Sequence, residues 1–146
     1  RASRYMEYKL VEPASKDVDA VVVASEETKQ SRRLEKIRTE RRDRWVPADE
    51  PEATNTLFGT WVGKVFRLTT ATYLEEDPVP PPLVKARIQF FERGKKADEL
   101  ILAAGQLQEG KKDYYARSAF TGQWVKLKAH GAQSVFEDIE AILQRE

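Results

Sequence analysis

Apolar and polar positions alternate along the second half of this chain and lose that rhythm in the first. Val84, Ala86, Ile88 and Phe90 are interleaved with Lys85, Arg87, Gln89 and Phe91, the period-two pattern of a half-buried strand. Arg93–Gly94–Lys95 ends that strand as a turn, and Leu100 to Leu107 follows as a more continuously apolar strand suited to the middle of a sheet. Glu109–Gly110 turns the chain into residues 113–120 (DYYARSAF). Thr121–Gly122 then marks a tight hairpin into residues 124–129 (WVKLKA), with Val125, Leu127 and Ala129 facing inward. Upstream, Thr60 to Tyr73 is rich in Thr, Val, Phe, Trp and Tyr, which predicts a long strand or one bent near Gly59 and Gly63. DPVPPP (residues 77–82) predicts a stiff polyproline II connector, because proline has no N–H to give to a ladder.

The rhythm becomes helical at the end. Ser134 and Glu137 have capping-box spacing, and Val135, Phe136, Ile139, Ile142 and Leu143 recur on one face that needs a sheet to pack on. The front of the chain reads differently. Residues 5–12 predict a short strand with Met6, Tyr8 and Leu10 on one face, stopped by Pro13, and residues 18–24 form a second, β-branched apolar run. From Ser25, a plausible N-cap, helix formers continue to about residue 45 through SRRLEKIRTERRDRW (residues 31–45). Only Leu34, Ile37 and Trp45 offer an apolar stripe there, so such a helix is solvent-bridging, stabilised by charge pairs or not stable alone. Residues 46–56 (VPADEPEATNT) read as a linker.

All seven glycines lie after residue 58, which sharpens the division. The expected organisation is an extended N-terminal arm over residues 1–56, with a charged helix at about 25–45 and a Pro-rich linker, followed by a β-rich body over residues 57–146. The expected fold class is α+β: a curled or barrel-like antiparallel sheet of about five strands closed by a C-terminal helix.

Charge and composition act mostly by exclusion. The net charge of +1 gives no overall pull toward nucleic acid or anionic membrane, but residues 29–44 hold eight basic residues against three acidic ones. With no cysteine, thiol nucleophiles and Cys-ligated metals are excluded, and a single histidine, His130, leaves no His-rich cage. No apolar run reaches the roughly 18–20 residues of a membrane span. No signal-peptide apolar region stands at the front, and the opening RASRY is compatible with the stump of an organellar presequence in an intracellular protein.

No constellation carries chemistry. Glu75–Glu76 and Asp98–Glu99 are sequence neighbours near strand ends, where adjacent side chains point to opposite faces and do not converge as an acid/base pair. Neither GxxxxGK[ST] nor GxGxxG is present. No catalytic, cofactor-binding or metal-ligating residue is assigned, and no enzymatic activity is expected. Two surfaces remain. In the arm, Arg32, Arg33, Lys36, Arg38, Arg41, Arg42, Arg44 and Trp45 are candidates for partner binding. On the outer face of the sheet, alternation collects Lys85, Arg87, Phe91, Tyr115, Arg117, Trp124, Lys126 and Lys128, the mixture of cations and rings that grips single-stranded nucleic acid. The same mixture also suits an ordinary solvated face, one covered by the arm, or a protein contact. The leading expectation is a non-catalytic accessory or scaffold subunit that meets other protein subunits of an assembly. A single-stranded DNA- or RNA-binding protein is the alternative, and a small ligand-binding or enzymatic β-barrel the third.

Overall fold

The computed structural model describes residues 9–106 and 112–145. A 3-10 turn at Ser15–Asp17 leads into three strands: β1 (Ala20–Ser25), β2 (Ser31–Arg38) and β3 (Asp43–Pro47). Helix α1 (Leu57–Phe66) follows, then β4 (Thr70–Tyr73), β5 (Leu83–Glu92), β6 (Lys95–Gln106), β7 (Lys112–Ser118) and β8 (Val125–Leu127). Two short helices, α2 (Ala129–Glu137) and α3 (Ile139–Leu143), complete the chain. The strands form one 8-stranded sheet in the order β3-β2-β1-β5-β6-β7-β8-β4, and every neighbouring pair is antiparallel.

This corrects the expected sheet of about five strands: it has eight, and it is open, with β3 and β4 as its edges, rather than curled into a barrel. The largest correction concerns the N-terminal half, where the expected charged helix is a β-hairpin. Residues 31–38 alternate with period two, since Arg32 and Leu34 are buried while Arg33 is exposed. Two of the three inward positions, Arg32 and Lys36, are cations whose stems lie inside, which disguises the strand as a polar helix. β1 then lies inside the sheet, with Val22 opposite Arg33 of β2 on one side and opposite Gln89 of β5 on the other. The sheet therefore runs across the expected 56/57 boundary.

Residues 60–66 are also helix rather than strand. Phe58, Trp61, Val62 and Val65 are buried at helical spacing, and that face outweighs the strand preference of Val, Trp and Phe. Because β3 and β4 are opposite edges, α1 and its flanking loops carry the chain from one side of the sheet to the other. All three helices pack on the face built by Val21, Val23, Leu34, Ala86, Ile88, Phe90, Leu100, Leu102 and Ala116. Trp61 Nε1 donates to the Val135 carbonyl at 3.0 Å, and Phe66 meets Phe90 edge-on at 5.4 Å.

The expected single C-terminal helix is two, broken at Asp138, whose carboxylate pairs with Lys64 of α1 at 3.2 Å. Ser134 does not cap it: α2 begins at Ala129, and Ser134 lies inside. Leu10 and Val11 are buried but not in a strand. Met6, Tyr8, Leu107 and the Glu109–Gly110 turn lie outside the described residues. The turn at residues 93–94 forms as expected, with φ of 52° at Arg93 and 80° at Gly94, the left-handed pair that a two-residue hairpin turn requires. The Val79–Pro80 bond is cis, and the run Pro80–Leu83 follows it into β5.

Candidate functional site

The eight arm candidates separate into three environments. Arg32, Lys36 and Trp45 are packed. Arg32 is 3% exposed and joins three parts of the chain. Its Nε and Nη2 donate to Asp49 and Glu50 at 3.1 Å each, and its Nη1 donates to the carbonyls of Ile142 at 3.1 Å and Gln144 at 2.9 Å. The guanidinium also sits 5.1 Å from the Phe58 ring centroid. Asp49 further accepts from Arg145, and that bond, opposed by burial and helped by Arg32, holds its carboxyl below the ordinary value. Lys36 lies over the Trp45 ring at 5.6 Å and donates to the Ser15 and Lys16 carbonyls.

Arg33 points to the opposite, helix-free face. Arg38, Arg41 and Arg42 occupy the exposed tip of the β2–β3 hairpin, with Arg44 half-buried beside them on β3. Thr39 shapes that tip by bonding Arg42: its hydroxyl accepts from the Arg42 N–H at 3.2 Å and donates to the Arg42 carbonyl. Each packed cation has a carboxylate partner. Arg38, Arg41, Arg42 and Arg44 have none among the described residues.

The helix-free face brings together most of the second candidate set. Ala24, Arg87, Ile101 and Arg117 form one cross-strand row, and Ala103, Tyr115 and Lys126 form the next. Trp124, half-buried, precedes Val125 and so shares the side of Lys126. Phe91 and Arg33 belong to the same face, where the Arg33 guanidinium lies 5.2 Å from the Phe91 ring centroid. Two candidates leave it. Lys128 is the exposed N-cap of α2, and Lys85 stands where the β5–β6 register shifts and lines clefts at the end of the sheet.

Carboxylates change the character of this face. Arg87 approaches Glu26 and Glu99 at 3.8 Å each, Lys96 meets Glu99 at 2.6 Å, and Lys126 meets Asp113 at 3.3 Å. Arg117 lies 3.9 Å from Asp77, and Arg33 pairs with Glu35 at 3.0 Å. Lys96, despite opposing burial, holds the Glu99 carboxyl below its ordinary value. Burial first, then the Asp113 carboxylate, raise the Tyr115 phenol above its own. The Tyr115 ring lies across Gly105, where an added Cβ would come within 3.3 Å of it. Sequence reasoning missed these partners. The Asp113 pair was readable from hairpin register, whereas Glu26 and Asp77 arrive from loops far away in the chain.

Asp98 and Glu99 diverge: Asp98 is buried and accepts from the N–H groups of Glu12, Glu99 and Ala119, while Glu99 faces outward. His130 is exposed in the first turn of α2. Among the described residues no three His, Asp or Glu side chains converge in a metal-binding group, and no helix is long and apolar enough to cross a membrane. An apolar cleft of about 420 Å³ lies between residues 9–15, the end of α1, and Phe90 and Leu100 of the sheet. No protein family, curated protein or solved structure matches this chain.

Proposed function

We propose that this chain is a non-catalytic accessory or scaffold subunit that docks an acidic surface of another protein through the tip of the β2–β3 hairpin. One contrast carries the reading. Cations on the helix-free face are matched by carboxylates, so at a distance that face is close to neutral. Arg38, Arg41 and Arg42 are exposed and have no such match among the described residues. Unmatched charge at a projecting tip steers association, and guanidinium groups suit carboxylates in paired geometry. Single-stranded nucleic acid needs open rings for stacking, yet Phe91 is capped by Arg33 and Tyr115 is folded over Gly105. The protein reading is therefore favoured.

The test combines charge reversal with site-directed crosslinking. A photo-crosslinking residue at Glu40 should join the chain to one protein in native extract, and Arg38→Glu with Arg41→Glu and Arg42→Glu should abolish the product. Melting of the isolated chain should shift by only a few degrees, since exposed charges contribute roughly 0–1 kcal/mol each and 1 kcal/mol is about 2–4 °C in a chain of this size. Binding of a labelled single-stranded oligonucleotide, lost on the same reversal and steeply weakened by salt, would replace the protein reading with the nucleic-acid one.

A further inference from the structure

Where α2 and α3 meet the end of the sheet there is a cleft of about 670 Å³, inside the roughly 300–1,000 Å³ range of small-ligand sites. Its lining includes an aromatic pair: Tyr114 of β7 meets Phe136 of α2 edge-on at 4.8 Å, and both rings are half-buried. The charged part of the lining divides by element. Lys85 and Lys112 come from strands β5 and β7, whereas Glu27 comes from the β1–β2 turn and Glu137 and Glu140 from the two helices. A β-bulge places Lys85 there, since the register with β6 shifts between Val84 and Ala86 and Lys85 leaves the ladder. The β1–β2 turn is fixed beside it, because the Glu26 N–H donates to the Lys85 carbonyl at 2.9 Å.

These charges do not cancel one another. Among the described residues no ion pair joins either lysine to a carboxylate of the cleft. Glu26 and Asp113, the carboxylates beside the two lysines, pair instead with Arg87 and Lys126. The cleft carboxylates are held by neutral donors: Glu140 accepts from the hydroxyls of Ser25 at 2.9 Å and Thr28 at 3.5 Å, and Glu137 accepts from the Gln133 amide at 2.9 Å. Both signs of charge therefore stay open around one aromatic pair.

We propose that this cleft binds a small aromatic zwitterion of the size of an aromatic amino acid or dipeptide. The lysines take its carboxylate, the glutamates take its ammonium, and its ring packs on Tyr114 and Phe136. A simple anion would meet the three carboxylates and a simple cation the two lysines, so a ligand that carries both charges is selected over either. The site uses no residue of the hairpin tip and does not depend on its role.

The experiment titrates the full, isotopically labelled chain with L-phenylalanine and with glycyl-L-phenylalanine, following the backbone amides by NMR. At least one probe should give saturable shifts confined to the residues lining the cleft, and the tighter of the two tells a free amino acid from a dipeptide. Hydrocinnamate lacks the ammonium and phenethylamine lacks the carboxylate, so each should bind about tenfold or more weakly. Lys85→Gln with Lys112→Gln should weaken binding of the zwitterion by about tenfold or more without changing that of phenethylamine. Glu27→Gln with Glu137→Gln should likewise spare hydrocinnamate. All four side chains are exposed or half-buried, so the melting transition should stay in place. No saturable shift with either probe, equal affinity for an analogue that lacks one charge, or affinity indifferent to the lysine substitutions would each overturn the proposal.

Discussion

Replacing Arg32 is the sharpest test of how the two ends of this chain are joined. Arg32→Ala removes the guanidinium that connects β2, the acidic turn after β3 and the carbonyls at the end of α3. Breaking a fully buried pair costs about 3–5 kcal/mol. Here, however, Asp49 and Glu50 are 41% and 53% exposed and rehydrate once released, so their share is small. The lasting loss lies with the Ile142 carbonyl, whose bond to Arg32 is buried, and the partly buried Gln144 carbonyl. A buried acceptor left unpaired costs about 1–3 kcal/mol, and lost packing on Phe58 adds roughly 0.5–1 kcal/mol. The expected total is about 2–4 kcal/mol, a large part of the roughly 5–15 kcal/mol that holds a domain together. For a chain of this size that lowers the melting temperature by roughly 5–15 °C. Urea denaturation of Arg32→Ala, Arg32→Met and Asp49→Asn separates the contributions. Arg32→Met restores apolar volume but leaves the carbonyls unpaired, so it should remain destabilised. Asp49→Asn should cost under about 1 kcal/mol. If Asp49→Asn costs as much as Arg32→Ala, the ion pairs rather than the carbonyls are what Arg32 serves, and the reasoning is wrong.

Residues 57–146 expressed alone should fail to melt cooperatively, because the deletion strips β1 from the side of β5; a sharp calorimetric transition would contradict this. Trp61→Ala should cost about 3–5 kcal/mol by chemical denaturation, since the indole is 1% exposed and its N–H holds the Val135 carbonyl of α2; a loss below 1 kcal/mol would show that α1 does not anchor α2. Arg93→Asn, which suits the left-handed φ of 52° before Gly94, should raise the melting midpoint, whereas Gly94→Ala should cost about 1–2 kcal/mol of stability and lower it. Because the carboxyls of Asp49 and Glu99 are depressed on folding, their stabilisation is present above about pH 5 and is lost as pH falls through the folded values. Urea midpoints measured from pH 6 to 3 should decline less steeply in Asp49→Asn with Glu99→Gln, and an identical slope would dismiss both groups.

Residues 84–106, 113–118 and 125–127 were legible as strands because their apolar positions alternate on either side of glycine-bearing turns. The expected tight hairpin at Thr121–Gly122 is instead a loop over residues 119–124, and Ala129, expected inward on the last strand, opens α2 exposed. Two segments hid their structure for opposite reasons. In β2 the inward positions include Arg32 and Lys36, whose charges find partners only once the chain has folded. In α1 the helical spacing of Phe58, Trp61, Val62 and Val65 was present, but local composition favoured a strand and packing decided otherwise. The C-terminal apolar face was legible, yet its start was misplaced because an unused capping-box pattern stands mid-helix at Ser134. On the helix-free face, alternation located Arg87, Arg117 and Lys126 correctly. It could not show that loops bring Glu26 and Asp77 to neutralise two of them.

The interior place of β1 has a consequence in time. Its neighbour β2 follows within a few residues, but β5 begins only at Leu83, roughly 60 residues later. At synthesis rates of about 5–20 residues per second, Ala20–Ser25 waits about 3–12 s for its second neighbour. Throughout that wait, AVVVAS presents one unpaired edge, a β-branched and uncharged segment of the kind that recruits other nascent chains. Arg32 and Arg33, just before Leu34 on β2, then act as gatekeepers, keeping the first hairpin soluble until the strand that completes it has been made.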